Sequence, residues 1–202
     1  MSIKTVNIFI ASAGALAEER TQVRLHLSNE NDAWIKKGVY LQAQVWEKES
    51  LSFTPGRKQS DFNDVLLKSD IMICLVFDKV GPFTYEEIYQ GYTSLIDGGN
   101  PKKLYVFFKN APIDLSNISD DFLKVNQLKK EIQRLEQVYA SYNNLDSLWV
   151  QVKTILDRDV PELTKLSIQE ALVELLNEIH PDIHKHFKGG ANQLSVMLRW
   201  SS

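Results

Sequence analysis

Apolar runs of strand length alternate with stretches of helical period from residue 5 to about residue 157. Val6-Asn7-Ile8-Phe9-Ile10 reads as a first buried strand. From Ala15 to Ser28, Leu16, Val23 and Leu27 share one helical face, and Glu18 and Glu19 stand early, where negative charge favours the helix dipole. Val39 to Trp46 alternates, with Val39, Leu41, Ala43 and Val45 against Tyr40, Gln42, Gln44 and Trp46, the pattern of a half-buried strand near a sheet edge. A long polar loop from Glu47 to Ser60 follows, and Ser60 caps a short helix through Lys68 with Phe62, Val65 and Leu66 inward.

Ile71 to Phe77 is continuously apolar, which predicts a central strand covered on both faces. The next helix is predicted from Thr84 to Ile96, closed by Gly98-Gly99-Asn100-Pro101, and Leu104 to Phe108 is a further central strand. Val125, Leu128, Ile132 and Leu135 form a helical stripe, Val138 to Tyr142 a short fifth strand, and Asn144 or Asp146 the cap of a helix carrying Leu148, Val152, Ile155 and Leu156. Strands and helices in strict alternation predict an α/β fold, a five-stranded parallel doubly wound sheet of flavodoxin-like order 2-1-3-4-5. Asp157 to Thr164, with Pro161, reads as a linker. Ser167-Ile168-Gln169-Glu170 is a capping box that opens an amphipathic segment, so the chain divides into a domain over 1–157 and a small C-terminal helical segment over 165–202. So short a helical segment buries little core by itself and is expected to pack on the main domain, a second copy or a partner.

Composition narrows the classes. The chain has 202 residues, 44% hydrophobic and 24% charged, which is globular, and a formal net charge of -3, which offers no broad nucleic-acid surface. Neither a membrane span nor a secretory leader is legible, so a cytoplasmic protein is expected. The single cysteine, Cys74, falls inside the apolar third strand, which excludes an internal disulfide and a cysteine-rich zinc site. His180, His184 and His186 read as a solvated helix end interrupted by Pro181, and no metal site is expected. Walker, Gly-x-Ser-x-Gly and His-Glu-x-x-His motifs are absent.

Two stretches carry candidate chemistry. Ser12, Ala13 and Gly14 precede a helix N-terminus, where backbone amides either receive a phosphate or make an ordinary strand-to-helix turn. Thr84-Tyr85-Glu86-Glu87 follows the central strand and its turn, the place where open α/β sheets hold ligands. By spacing this run is also a capping box, with Thr84 as N-cap and Glu87 reaching back to it. Lys79, just past the third strand, could face a phosphate, and Asp70 is expected to hold the turn before that strand.

Taken in order, these residues resemble a bacterial TIR-like domain. The first strand runs into Ala11-Ser12, then come Glu18-Glu19-Arg20, Lys68-Ser69-Asp70-Ile71, Glu86-Glu87-Ile88-Tyr89-Gln90-Gly91 and Tyr139-Ala140-Ser141-Tyr142 with Asn144-Leu145 and Leu148. The resemblance spans roughly residues 4 to 157. In NAD-cleaving members a glutamate on the helix after the third strand is catalytic, just before an aliphatic residue and four before a small one. Glu87, with Ile88 and Gly91, matches, and Glu86 is one position early and would be a solvated first-turn charge. Phe83 and Tyr85 stand where many active members carry a tryptophan or cysteine, and Ala11-Ser12-Ala13-Gly14 is less charged than the usual loop.

The resemblance implies an NAD nucleosidase that cleaves the nicotinamide-ribose bond, with NAD as substrate and no cofactor. The products would be nicotinamide and ADP-ribose or a cyclised form. It implies a role in antiphage defence, activation by self-association, and coupling to a sensor through the helical segment. Trp46 would stack on a base or the nicotinamide ring or else pack, and Phe53 and Arg57, in the long loop, would meet a neighbouring copy. Two other readings fit the same residues: a non-catalytic adaptor of the same fold, and a nucleoside deoxyribosyltransferase-like N-glycosidase.

Overall fold

The structure, a computed structural model, describes residues 3–44, 64–112 and 120–165. Five parallel strands form one sheet in the order β2-β1-β3-β4-β5: β1 is Lys4–Ser12, β2 Val39–Gln44, β3 Ile71–Val76, β4 Lys103–Lys109 and β5 Ala140–Tyr142. The helices are α1 (Ala17–Trp34), α2 (Pro82–Ile96), α3 (Asp120–Arg134) and α4 (Leu145–Thr164). This is the doubly wound parallel architecture that the alternation of elements predicts.

Strand alternation divides the core in two. Val6, Ile8 and Ile10 of β1 and Ile71, Ile73 and Leu75 of β3 face α1 and α4, where they meet Val23, Leu27, Val152 and Leu156. Phe9 and Ala11, with Met72, Cys74 and Val76, face the opposite layer of Ile88, Val125, Leu128 and Ile132, contributed by α2 and α3. Every residue of β3 is buried, as its unbroken apolar run requires, whereas β2 lies at the edge and alternates buried and exposed only at its start. The connection through α1 carries the chain from β1 to one side and the later ones carry it from β3 to the other. The reversal falls between β1 and β3, so a crevice opens beyond their C-terminal ends.

Several boundaries differ from expectation. The first helix extends to Trp34 and closes through a short 3-10 turn on Gly38, whose φ of 76° is left-handed and suits glycine. Asp157 to Thr164 is helix rather than linker. Asp159 and Val160 are buried there, and Pro161 lies in the last turn, where its missing N–H costs a single bond to the carbonyl of Asp157. Asn144, not Asp146, caps α4, its Oδ1 accepting from Ser147 N at 2.8 Å. The long loop with Phe53 and Arg57, the proposed cap Ser60, and residues 166–202 with the three histidines lie outside the described residues. Compact packing delimits a first unit, Met1–Leu163, to which everything below refers.

Candidate active site

β1 ends at Ser12, and the chain turns through Ala13, extended at φ -67° and ψ 158°, into a 3-10 turn Gly14–Leu16 that leads directly into α1. Four residues past Leu16 stands Arg20. Leu16, Arg20, Val23 and Leu27 are spaced as one helical face, and that face is buried, so the arginine lies inside with 1% of its surface exposed. Its Nη1 donates to the carbonyl of Ser12 at 3.2 Å and also to Ser12 Oγ. The serine hydroxyl is therefore engaged within the protein, holding a guanidinium against the end of the strand.

The opposite wall comes from α2. A Cβ placed on Gly91 would stand 2.7 Å from Met72 Sδ and 3.1 Å from Leu104 Cδ1, so the helix touches the sheet at this glycine. α2 links parallel β3 and β4 and so runs opposite to them. One turn back along the helix, about 6 Å, is Glu87, and two residues forward along the strand, about 6.6 Å, is Cys74. Cys74 is paired with Ala11, and Ser12 with Leu75. Ser12 and Arg20, on the α1 side of the sheet, and Glu87, on the α2 side, thus flank the C-terminal ends of β1 and β3. Glycine four residues after Glu87 is what brings α2 close enough for this.

Glu87 is 7% exposed. Burial raises its carboxyl pKa to about 7, the positive charge of Arg20 opposes that shift, and the negative charge of Glu86 adds to it. Both protonation states are therefore populated near neutrality. The Cys74 thiol beneath is pushed well up, first by burial and then by the charge of Glu87.

The capping-box reading of Thr84 and Glu87 is corrected. The N-cap of α2 is Gly81 and Pro82 occupies its start, so Thr84 sits inside the first turn and Glu87 in the second, out of reach of the helix end. Glu86 is likewise not a first-turn charge: it is half-buried and accepts from Gln90 Nε2 at 3.3 Å. Glu87 therefore does not cap the start of its own helix.

The other expected residues divide. Ala13 is half-buried and Gly14 exposed, next to the crevice, and Lys79 is exposed beyond β3. Trp46 lies outside the described residues. Asp70 has the structural role expected of it: its Oδ2 accepts from Asn7 N at 2.8 Å, and its carbonyl accepts from Lys102 N at 2.8 Å and Lys103 N at 3.2 Å, tying β1 to the starts of β3 and β4.

Sequence reasoning missed a charged pair on the same rim. Glu19 Oε1 accepts from Lys109 Nζ at 2.5 Å, joining the start of α1 to the end of β4. Lys109 also sits 5.4 Å from the centre of the Phe77 ring. The buried Tyr142 hydroxyl at the end of β5 has no hydrogen-bond partner among the described residues, and burial, then the charge of Glu19, raises its pKa. Adjacent residues Glu19 and Arg20 thus anchor α1 to two strand ends. The available signal was Arg20 itself, a charge at a position where the helical stripe demands an apolar residue.

Among the described residues no group of three or more His, Cys, Asp and Glu side chains is placed to hold a metal ion, and no helix is long and apolar enough to cross a membrane. No protein-family model and no curated protein matches the chain. Among solved structures, homoserine dehydrogenase of S. aureus at pH 7.0 is similar over 69% of this chain and 33% of that one, at 13% identity and a TM-score of 0.36. The same enzyme at pH 8.5 is similar over 70% and 32%, at 16% identity and a TM-score of 0.32. The chain spans about a third of the length of these structures. A likeness this remote bears on neither activity nor substrate.

Proposed function

We propose that this chain is a TIR-like NAD nucleosidase with Glu87 as its catalytic residue. The observation that carries the reading is a buried carboxyl at the sheet's switch point, free of any capping role, with its pKa raised to about 7. The nicotinamide-ribose bond needs no metal and no strong nucleophile to break, because the leaving group already carries positive charge. The transition state is oxocarbenium-like. An ionised Glu87 would accept hydrogen bonds from the ribose hydroxyls and stabilise the positive charge that develops on the sugar. The turn at Ala13 and Gly14, and Lys79 beyond β3, are the candidate contacts for the phosphates. Self-association would complete the site from a neighbouring copy, the C-terminal segment would couple it to a sensor, and NAD depletion in the cytoplasm would be the output in antiphage defence.

The test is NAD consumption followed by chromatography, wild type against Glu87→Gln, at low and high protein concentration with a crowding agent. The expected result is loss of NAD that rises with concentration and falls about 100-fold or more in the variant, the scale of removing one electrostatic stabiliser from a transition state. Turnover undiminished in Glu87→Gln overturns the catalytic assignment. No turnover at any concentration, with oligomers demonstrated, leaves an adaptor. Cleavage of nucleosides but not NAD leaves the deoxyribosyltransferase-like reading.

A further inference from the structure

β4 is paired unequally on its two sides. Against β3 it is registered from Lys103 to Phe108, and against β5 only from Phe107 to Lys109. In a parallel ladder one residue turns both its N–H and its C=O to one side, and the next residue turns both to the other. Lys103 N donates to Asp70 O at 3.2 Å, towards β3, and Asn110 N donates to Tyr142 O at 2.7 Å, towards β5. By alternation Tyr105 and Phe107 serve β3, whereas Leu104, Val106 and Phe108 turn to the other side. There β5 begins only at Ala140, opposite Phe107. Among the described residues, Leu104 N–H, Leu104 C=O and Val106 N–H therefore have no backbone partner. Val106 is 5% exposed, and backbone groups in such places are almost always paired.

The space beside these groups is open above and below the sheet. On the α2–α3 face, Leu104 and Val106 border an open cleft of about 660 Å³, solvent space included, walled by Tyr85, Tyr89, Leu128 and Glu131. On the α4 face, Tyr105 and Phe107 border another of about 760 Å³, walled by Gln151, Thr154 and Arg158. A row of N–H, C=O and N–H with a cleft on each face fits an extended peptide. Its backbone continues the ladder and its alternate side chains enter the two clefts. The clefts differ in chemistry. The first is largely apolar, with three tyrosines and Glu131 and no Lys or Arg in its lining. The Tyr85 hydroxyl donates to Glu131 Oε2 at 2.8 Å, which leaves the other carboxylate oxygen for a ligand. That wall suits a lysine or arginine, with its stem on the apolar floor and its cation at the carboxylate and the phenol rings. In the second cleft Arg158 is already bonded to Asp159 and Tyr105, which leaves Gln151 and Thr154 to meet a short polar side chain.

We propose that the N-terminal half of β4 is a docking lane for an extended segment of a partner protein that alternates basic and short polar side chains. The segment pairs with Leu104 and Val106 in line with β5. Ala140 closes one end of the lane and helices flank both faces, so a flexible segment enters where the sheet edge of a second copy, carrying its own helices, does not. The lane lies at the end of the sheet opposite the crevice and does not rest on the NAD reading.

The experiment is amide hydrogen exchange of the full chain, read by NMR. In the protein alone, the Leu104 and Val106 amides are expected to exchange about 100-fold or more faster than that of Tyr105, which faces β3. The probe is a capped heptapeptide of alternating threonine and lysine. At about 1 mM, the scale of a weak complex, it is expected to slow those two amides several-fold and leave Tyr105 unchanged. The same peptide with glutamate for lysine, or with every backbone nitrogen methylated, should slow neither. Glu131→Gln should weaken the lysine peptide several-fold and leave the free protein's exchange as it was. Slow exchange of Leu104 and Val106 in the protein alone overturns the proposal: slowing that grows with protein concentration gives the lane to a second copy, and slowing independent of it gives the lane to this chain. Equal slowing by the lysine and glutamate peptides, or none by the lysine peptide, overturns the basic partner segment.

Discussion

Two buried carboxylates at opposite ends of the sheet have been treated in opposite ways. Asp159, on α4, is 1% exposed, and Glu87, on α2, is 7% exposed. Burial pushes both pKa values up. At Asp159 that push is overcome: Arg158 Nε donates at 2.7 Å and Nη2 at 3.2 Å, the Tyr105 hydroxyl bonds to Oδ2, and the charges of Arg158 and Lys103 add to the effect, so the net shift is downward. At Glu87 only Arg20 opposes burial, and the carboxyl stays near pH 7. A carboxylate whose job is to hold α4 on β4 is saturated with donors. Glu87, at the end of the sheet where open α/β folds hold their ligands, is opposed by one positive charge alone, which is what the proposed role of an ionisable carboxyl in the crevice requires.

That contrast is sharpest in how stability depends on pH. Because the folded-state pKa of Glu87 is raised, the folded protein holds a proton there that the unfolded chain has released, from the ordinary carboxyl value up to about 7. Stability therefore falls as pH rises through that window, and the loss is complete above it. Glu87→Gln removes the titration. The expected outcome is a variant more stable than wild type at pH 8–9 by up to about 3 kcal/mol, reduced by whatever Arg20 loses with its counter-charge. The gain should vanish below about pH 4, where Glu87 is protonated in both states. Thermal unfolding of both proteins across that range checks it, and a gain that does not depend on pH would mean that Glu87 is not buried as an acid.

Asp159→Asn should act with the opposite sign. It keeps the shape and loses the charge-assisted bonds, so the expected cost is about 2 kcal/mol, roughly 4–8 °C in Tm for a unit of this size. The lowered pKa means that the stabilisation from Asp159 is present above its unfolded value, about 4, and is lost as pH falls through the folded value. The cost of the substitution should therefore shrink in acid, whereas the benefit of Glu87→Gln shrinks there from the other side. Denaturant titrations of the two variants at pH 4 and pH 8 separate the behaviours.

The difference between the two carboxylates was only partly legible in the sequence. Local pattern carried the frame: the unbroken run Ile71 to Phe77 gave a central strand, the alternation from Val39 an edge strand, and the alternating elements the strand order. Glu87 was singled out, and its burial on α2 was not legible, nor was its distance from the start of that helix. Thr84 and Glu87 have capping-box spacing, yet Pro82 at the helix start moves the N-terminus back to Gly81, because proline's fixed φ suits the first turn. Arg20 entered only as part of Glu18-Glu19-Arg20 in the resemblance, and the bonds it makes in the interior reach a serine eight residues earlier, across a strand-to-helix turn. Asp159 was read as part of a linker because Pro161 resembles a stop; its partner Tyr105 lies 54 residues away, a separation that no local pattern encodes.

The contact that sets Glu87 over the crevice can be loosened without touching a charge. In Gly91→Ala the new methyl meets Met72 Sδ at 2.7 Å and Leu104 Cδ1 at 3.1 Å, both inside the core. Alanine's better helix propensity does not outweigh that overlap, so a net cost of about 1–2 kcal/mol is expected. Because α2 must lift slightly from β3, Glu87 should move away from Arg20, and its titration midpoint should rise. Nothing comparable should happen to Asp159, on the opposite layer. A shift of both carboxylates would show that the two layers are mechanically coupled rather than independent.

The smallest effect on stability is expected at Gly14, and it tests the rim rather than the core. A Cβ there would meet nothing within 4 Å, and its φ is not among the positive values that demand glycine. Gly14→Ala should therefore change stability by less than about 0.5 kcal/mol and leave the Glu87 midpoint where it is. If the turn after β1 takes the phosphates of NAD through its backbone, the same methyl stands where the ligand's backbone contact must form. The expected signature is then a raised KM for NAD with kcat retained. An unchanged KM assigns Ala13 and Gly14 to an ordinary strand-to-helix turn and leaves Glu87 as the proposed functional residue of the rim.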